Sequence, residues 1–353
     1  MGIFGLFASI NEKFSSIFDS FGYEVVVVPD ERQDFNRLNV LLPEGVGGIK
    51  AIYPGVGLAV ELQGYVNAQF ETGQLSMAGF DPTTDSFELD IEEGTAWRDD
   101  PGREGIVLTR TVTDKIDKKP GDTVVLVAQG RSTEVEIIGI ASFPFDQGFM
   151  EWRALSKLVG ATLATGEVAP TLVMIQMTAA DPSVDEVDDL IDEIDDILLS
   201  NGIAAAQTNQ VEVEEDLAQQ VSMFGILFEI AAIVMAAVGA IGLLSTLSMS
   251  VFERQREIGV MRSIGASSFT VASQFLTEGM IVGMSAWVVA VPFAYLLAQG
   301  LMSMLDIGIE GIGFEPIALA YGLIGMIVIT VLASLGPSLG AARRTVSAIL
   351  RYQ

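Results

Sequence analysis

The sequence predicts a membrane protein: an α-helical transmembrane bundle, with three clear spans and a truncated first helix, joined to an α+β extracytoplasmic domain. Two observations predict this class. Residues 21–216 carry 37 acidic and 12 basic side chains, whereas residues 217–353 carry only 7 and 6. The second part also contains three charge-free stretches of 23, 27 and 27 residues, at 230–252, 279–305 and 316–342. The chain of 353 residues therefore divides into a polar part followed by an apolar part.

Each charge-free stretch is long enough to cross a lipid bilayer as a helix. At about 1.5 Å per helical residue they reach about 35 to 40 Å, and the hydrocarbon core of a bilayer is about 30 Å thick. Helices in the core of a soluble protein seldom continue beyond about 20 residues without a charge. We therefore predict a transmembrane domain over residues 217–353, with spans at about 226–251, 279–304 and 316–340.

The arginines of the apolar part predict its orientation. Three of them fall between the first two spans and three follow the last span, whereas residues 306–315 contain no Lys or Arg. Segments rich in Lys and Arg stay on the cytoplasmic side. The arginine-bearing segment and the C-terminus are therefore predicted to be cytoplasmic. The acidic domain over residues 21–216 is then extracytoplasmic, in a multi-pass protein of the cell (plasma) membrane.

The first 20 residues fit neither a complete span nor a signal peptide. Met1–Ile10 is apolar, but Asn11, Glu12 and Lys13 end this stretch, which is too short to cross a bilayer. The basic segment and the small-residue cleavage site of a signal peptide are also missing. We expect residues 1–20 to be the remnant of a first transmembrane helix. A short amphipathic helix at the membrane surface is the alternative.

The composition excludes several kinds of active site. With no Cys and no His, the chain cannot form a His-based catalytic triad, a thiol nucleophile, a zinc finger or a disulfide framework. A net charge of −27 disfavours binding to nucleic acid. The Gly-rich phosphate loop followed by Lys and Ser or Thr is also missing. Nothing singles out a catalytic pair among the 46 acidic residues, so we predict no catalytic residue, no metal site and no cofactor bound by this chain.

Strand signals recur along the polar part and predict a sheet. β-branched runs and alternating polar and apolar residues are typical of strands, and Gln129-Gly130 between two such runs is typical of a hairpin turn. The predicted strands cover residues 25–28, 123–128, 133–140 and 171–177.

A helix with a strongly acidic face follows the last predicted strand. Asp181 as N-cap and Pro182 in the first turn predict its start, and it runs to about Leu199 with an apolar stripe that packs on the sheet. A calcium loop of alternating Asp or Asn around a central Gly is missing, so a solvated face is the favoured interpretation. Molar salt would screen its like charges, which indicates a halophile-like, high-salt source. The acids of this face are Asp185, Glu186, Asp188, Asp189, Asp192, Glu193, Asp195 and Asp196.

The segment after the first clear span, Phe252–Ser268, has the pattern of a short amphipathic helix suited to docking another protein. Gly259 and Gly265 permit close approach or a turn. Its apolar residues recur every three positions and share one side of a helix: Ile258, Met261 and Ile264.

Charged residues of the same segment are spaced to form ion pairs along a helix. Glu253 can pair with Arg256, and Arg254 with Glu257. A basic anchor that only fixes the membrane topology would need the arginines, but neither the glycines nor the apolar stripe. The residues alone leave docking and anchoring open.

This segment resembles a known signature. In permease subunits of the FtsX/MacB/LolC superfamily of ABC transporters, a span is followed by a pattern like E-R-x-R-E-I-G-x-x-R-x-x-G-A-S. The runs at 93–95, 120–124 and 139–140 resemble the hairpin and following strand of the MacB-type extracytoplasmic domain. Ten residues match the signature: Glu253, Arg254, Arg256, Glu257, Ile258, Gly259, Arg262, Gly265, Ala266 and Ser267.

The resemblance implies a four-helix permease whose outer domain lies between the first and second helices. It implies that Phe252–Ser268 couples the permease to a separate cytoplasmic ABC ATPase, which would hold ATP and Mg²⁺. It also implies a homodimer, or a heterodimer with a related permease, in the lipid bilayer, and an extracytoplasmic adaptor is a further candidate partner. The residues expected to form the coupling segment are Glu253, Arg254, Arg256, Glu257, Ile258, Gly259, Met261, Arg262 and Gly265.

Three functions are compatible with this sequence. The first is a permease subunit for ATP-driven export or release of a substrate at the outer side of the membrane. The second is an FtsX-like transmitter that controls an extracellular enzyme without transport. The third is a membrane-anchored outer binding domain without an ATPase, which would make the match to the signature accidental.

Overall fold

A computed structural model describes residues 18, 20–67, 72–84, 86–95, 97, 103–143, 145–305 and 316–343. The chain folds into two compact units. Of the described residues, the first unit contains those up to Gln219 together with Met302–Leu305, and the second contains Gln220–Leu301 and 316–343. The truncated transmembrane helix predicted for residues 1–20 lies almost entirely outside the described residues, so it stays a prediction.

The first unit combines a mixed sheet with packed helices, as the sequence predicted. Its helices are α1 (Phe35–Gly45), α2 (Arg110–Ile116), α3 (Trp152–Leu158) and α4 (Val184–Ser200). Its strands are β1 (Val25–Pro29), β2 (Ile49–Leu62), β3 (Gln74–Phe80), β4 (Ile91–Gly94), β5 (Ile106–Thr109), β6 (Thr123–Ala128), β7 (Arg131–Ala141), β8 (Gln147–Glu151), β9 (Leu172–Met177) and β10 (Ala205–Asn209).

Strand β2 is long enough to belong to two parts of the sheet. Its first half pairs antiparallel with β9, and its second half pairs antiparallel with β3. One part has the strand order β10-β1-β9-β2, and the other continues as β2-β3-β8-β5-β7-β4, with β6 paired to β2 and β7. The pairs β3–β8 and β5–β7 are parallel, so the sheet is mixed.

Helices α1 and α4 pack on the first part of the sheet. The start of α4 differs from the prediction: its N-cap is Ser183, not Asp181. Ser183 Oγ accepts a hydrogen bond from the Glu186 N–H, and the Glu186 carboxylate accepts one from the Ser183 N–H at 2.9 Å. This reciprocal capping box satisfies the N–H groups of Ser183 and Glu186. The buried residues of α4 follow the predicted stripe: Val187, Leu190, Ile194 and Leu198.

The hairpin predicted around Gln129-Gly130 is confirmed. Strands β6 and β7 pair antiparallel, with Ala128 opposite Arg131. Gln129 and Gly130 both have positive φ, 50° and 73°, as a two-residue type I′ turn requires. Gln129 Nε2 donates a hydrogen bond to the carbonyl oxygen of Val159 at 2.6 Å, which ties the turn to the segment after α3.

The second part of the sheet has an apolar core on each face. Alternate residues of β5 point to opposite faces: Ile106 contributes to the core that includes Trp152 of α3, and Val107 to an aromatic core. In the aromatic core, Phe80 meets Trp97 edge-on, with ring centroids 5.7 Å apart. Trp97 is only 2% exposed. It also borders a cleft, which is described below.

Asp146 joins three segments of this unit. Its Oδ2 accepts hydrogen bonds from Tyr65 Oη, after β2, and from Lys115 Nζ of α2, at 2.5 and 2.6 Å. Burial raises the pKa of Asp146, but the hydrogen bonds from Lys115, Tyr65 and Thr111, together with the positive charge of Lys115, outweigh it. The pKa of Asp146 therefore lies below its usual value.

Replacement of Asp146 by Asn is expected to lower the free energy of unfolding by about 1 to 3 kcal/mol at neutral pH, because it weakens two charge-assisted hydrogen bonds. The folded-state pKa is depressed, so the stabilisation is present above the unfolded-state pKa of about 3.9 and is lost as the pH falls through the folded-state pKa. Denaturant unfolding followed by tryptophan fluorescence measures both effects. Lys119→Gln, which removes an exposed lysine, is the control. A difference between wild type and Asp146→Asn that persists unchanged in acid would contradict this role.

Four helices account for the described residues of the second unit, although the first turns of α5 and the last residues of α7 belong to the first unit. They are α5 (Gln210–Glu253), α6 (Gln255–Ser263), α7 (Ser268–Leu305) and α8 (Pro316–Arg343). Helix α5, residues Ser268–Leu297 of α7 and residues Leu319–Gly340 of α8 are long and apolar enough to cross a membrane. The three stretches predicted as spans are therefore confirmed as apolar helices of sufficient length.

Two glycines bring α7 and α8 into close contact. A Cβ atom at Gly279 would overlap Ser334 Oγ, and one at Gly283 would overlap Thr330 Oγ1. On each helix the two residues are four positions apart and therefore lie on one face, in the small-xxx-small arrangement of membrane helix pairs. Ser334 Oγ donates its hydrogen bond within α8, to the carbonyl oxygen of Thr330 at 2.7 Å. The close approach of the two helices thus depends on glycine at positions 279 and 283 of α7.

Candidate functional site

The segment predicted to dock another protein forms a helical elbow between two apolar helices. Helix α5 ends at Glu253, α6 covers Gln255–Ser263, and α7 begins at Ser268. Arg254 is the N-cap residue of α6. We call residues 252–269 the elbow. All nine residues predicted to form the coupling segment lie at the end of α5, on α6 or in the turn that leads to α7.

A small apolar cluster fixes the elbow. Ile258 is fully buried in it, and Gly259, the next residue of α6, is half-buried. The cluster takes side chains from α5, α6 and α7, so it holds α6 against both neighbouring helices. Its members are Val251, Ile258, Val271 and Phe275, with Met261 packed against them.

The ion pairs predicted within the elbow are not formed. Arg254 pairs with Glu278 of α7 instead, with Nη1 3.7 Å from Oε2. Glu253, Arg256 and Glu257 are exposed, and none of them forms an ion pair with another residue in the described part of the chain. Arg254 separates α5 from α6 and has a non-helical ψ of 17°, so the i,i+3 geometry of a continuous helix does not apply across that residue.

The turn after α6 depends on a glycine, as the sequence predicted. Gly265 has φ of +99°, a value that L side chains rarely adopt. Its N–H bonds to the carbonyl of Arg262, and the Ala266 N–H bonds to that of Met261, which is the Schellman arrangement of a helix C-terminus. The Arg262 guanidinium then donates to Ser268 Oγ at 2.6 Å and joins the end of α6 to the start of α7.

The outward side of the elbow combines apolar and charged residues. Val260 is 62% exposed, and Ile264 and Phe269 are each 81% exposed. Arg256 and Glu257, also exposed, lie beside them on α6. Exposed apolar side chains next to charges of both signs have the composition of a protein-protein contact: an apolar centre with a polar rim. Ile264, which the sequence placed on one stripe with Ile258, belongs to this outward side.

Three parts of the site were not predicted. Glu278 was not recognised as the partner of Arg254, because a carboxylate 24 positions away gives no local signal. Phe269 was not included in the coupling residues, although it is among the most exposed side chains of the elbow. Val271 and Phe275 complete the cluster around Ile258, and their i,i+4 spacing just after Ser267 was the signal that could have identified them.

Comparison with known proteins identifies the part of the chain that contains the elbow. The family model of the FtsX-like permease C-terminal domain matches residues 229–346. The chain contains an FtsX-like permease domain. This match confirms the resemblance to the FtsX/MacB/LolC superfamily that the signature at 253–267 predicted. The FtsX-like domain includes the apolar part of α5, the whole elbow, α7 and α8.

Curated relatives match over a similar length. The macrolide export ATP-binding/permease protein MacB of Escherichia coli K12 is 35% identical over 112 residues, which are 32% of this chain and 17% of that protein. The MacB protein of Shigella boydii is 34% identical over 112 residues, with the same coverage. The chain thus spans less than a fifth of the length of these relatives.

Two solved structures are similar to the chain at a low level. The extracellular domain of the ABC-type transporter YknZ from Gram-positive bacteria matches with a TM-score of 0.36 and 17% identity, covering 53% of this chain and 98% of that one. The periplasmic region of MacB from Actinobacillus actinomycetemcomitans gives 0.35 and 14%, covering 60% and 98%. At these scores the similarity carries no information on function.

Proposed function

We propose that this chain is the permease subunit of an ATP-binding cassette transporter that exports or releases a substrate at the outer side of the membrane. The observation that carries this proposal is the elbow. A buried apolar cluster holds a short helix between two apolar helices of an FtsX-like domain, and Val260, Ile264 and Phe269 are exposed. The proposed occupant of this surface is a separate cytoplasmic ABC ATPase, which would bind ATP and Mg²⁺.

The packing of the elbow supports coupling as its task. A force applied to α6 by an ATPase would reach α5 and α7 through the buried cluster around Ile258 and through the Arg254–Glu278 pair. Helix α5 runs without interruption from Gln210 to Glu253, so displacement at its cytoplasmic end would be transmitted along the helix. Helix motion of this kind would use the ATPase cycle without any nucleotide site in the described residues.

Export is favoured over signalling without transport by the relatives that match the FtsX-like domain. Their names describe macrolide export with an ATP-binding and a permease part. The substrate of this chain is not assumed to be a macrolide, because the match covers 17% of those proteins. A dimer with a second permease, the cell membrane as location and an extracytoplasmic position of the α/β unit belong to the same proposal.

Sidedness provides the experiment that tests this proposal. The chain has no Cys, so labelling of a single introduced cysteine measures whether that position is accessible to a reagent outside the cell. Ser132→Cys, on the exposed part of β7, is expected to react with a membrane-impermeant maleimide in intact cells. Ser263→Cys, exposed at the end of α6, is expected to react only after permeabilisation. Reaction of Ser263→Cys in intact cells would leave a cytoplasmic ATPase no route to the elbow. Failure of Ser132→Cys to react in intact cells would contradict the extracytoplasmic position of the α/β unit. Either result would refute the proposal.

A further inference from the structure

An open cleft in the α/β unit has the composition of a binding site, and none of its lining residues belongs to the elbow. It lies between β7, helix α3 and the connection that follows β3, and its volume is about 820 Å³. Pockets that bind small molecules usually have volumes of about 300 to 1,000 Å³. The volume of the cleft is therefore within the range of sites that bind small molecules.

The floor of the cleft is apolar and contains one unpaired donor. Trp97, Val135, Met150 and Leu158 contribute apolar surface to its lining. Trp97 Nε1 is buried and has no hydrogen-bond partner among the described residues. Because this atom is not exposed to the cleft, the floor offers a ligand apolar surface only.

Two cations of the lining are already neutralised. Arg103 Nη2 lies 2.7 Å from Glu136 Oε1, and Arg153 Nη1 lies 3.5 Å from Glu151 Oε1. In each pair the two charges have opposite sign, so the four paired side chains together carry no net charge. The charges that remain for recognition are therefore those without a partner.

The unpaired charges of the rim have both signs. Lys157, on α3, is exposed and forms no ion pair with another described residue. Glu104 and Glu134, contributed by the segment before β5 and by β7, are exposed and equally unpaired within the described residues. A ligand that offers one carboxylate and one ammonium group would find a complement for each, on different elements of the rim.

We propose that this cleft binds a short peptide with free termini. The C-terminal carboxylate would lie at Lys157, the N-terminal ammonium at Glu104 and Glu134, and the apolar side chains over the floor. This assigns a ligand class to the α/β unit and does not depend on an ATPase. Binding is measured without an ATPase, so failure of this proposal and failure of the coupling proposal are distinguishable.

The test uses the full-length chain in detergent and calorimetric titration with four forms of the tripeptide Leu-Ala-Leu. The form with free termini is expected to bind about tenfold more tightly than the form blocked at both ends, acetyl-Leu-Ala-Leu-amide. The two half-blocked forms, acetyl-Leu-Ala-Leu and Leu-Ala-Leu-amide, keep only the carboxylate or only the ammonium group. They are expected to bind with intermediate affinity.

Variants of the rim assign each charge to one end of the peptide. Lys157→Gln is expected to weaken binding of acetyl-Leu-Ala-Leu about tenfold and to leave Leu-Ala-Leu-amide unchanged. The double variant Glu104→Gln/Glu134→Gln is expected to weaken binding of Leu-Ala-Leu-amide about tenfold and to leave binding of acetyl-Leu-Ala-Leu unchanged. Lys119→Gln, which removes an exposed lysine outside the cleft, is the matched control, and thermal unfolding confirms that each variant is folded. Equal affinity for free and blocked peptides, unchanged binding by Lys157→Gln, or no heat of binding at about 10 mM peptide would overturn the proposal.

Discussion

The variant Val260→Asp is expected to weaken binding of the ATPase subunit about 10- to 100-fold and to remove its stimulation by the permease. The substitution places a charge in the centre of the exposed apolar side of the elbow, where a partner would have to desolvate it. Glu257→Gln, on the rim of the same surface, is expected to have a smaller effect in the same direction. Co-purification with the ATPase and ATP hydrolysis in reconstituted membranes measure the two quantities.

The control for this prediction is Val66→Asp. Val66 lies in the α/β unit and is 61% exposed, almost the same as Val260 at 62%, so the two variants add the same charge to equally exposed sites. Normal ATPase stimulation by Val260→Asp, at wild-type expression, would contradict a docking role of the elbow. Ile258→Ala is informative in another way, because it empties the buried cluster and should lower stability by about 2 to 5 kcal/mol before any effect on docking is considered.

The variant Gly283→Val is expected to destabilise the FtsX-like domain by about 1 to 3 kcal/mol or more. Its side chain would overlap Thr330 Oγ1, and Met326 Sδ lies 2.9 Å from the Cβ position. Helices α7 and α8 would have to separate, and the van der Waals contact that holds them in a bilayer would be lost. The lower midpoint of thermal unfolding in detergent and the loss of monodisperse protein on size-exclusion chromatography measure this effect.

Two further variants separate packing from a general effect of valine in a membrane helix. At Gly239, in α5, a Cβ would meet no atom within 4 Å in the described structure, so Gly239→Val is expected to be tolerated. Thr330→Ala removes the two Thr330 atoms that a Cβ at position 283 would meet, so it is expected to recover part of the stability lost in Gly283→Val. Equal stability of the 239 and 283 variants would show that α7 and α8 do not rely on this glycine.

Much of this architecture could be predicted because its signals are local. The three charge-free stretches needed only their length and composition, and the hairpin needed only Gln129-Gly130 between two β-branched runs. The helix at 184–200 followed from its apolar spacing. Its start was predicted two residues too early because both Asp181 and Ser183 are good caps. Glu186, three residues after Ser183, is the signal in the sequence that could have identified Ser183.

The elbow divides in the same way between sequence and structure. Its position between two spans, the turn at Gly265 and the family signature are written in consecutive residues. By contrast, the pairing of Arg254 with Glu278, the burial of Ile258 among side chains from three helices and the exposure of Ile264 depend on how separate segments meet. Apolar residues that recur every three positions indicate a helix face. They do not indicate which residues of that face are buried by neighbouring helices and which are exposed.

The sequence by itself determined that the chain has a polar α/β part and an apolar helical part, because transfer of residues from water to lipid depends on composition and length alone. Only the tertiary structure decided which side of the short helix after Glu253 is buried, which glycines of α7 meet Ser334 and Thr330, and which charges around the cleft stay unpaired. Those properties arise from contacts between residues far apart in the chain, and the energy of such contacts depends on distance in space rather than on order in the sequence.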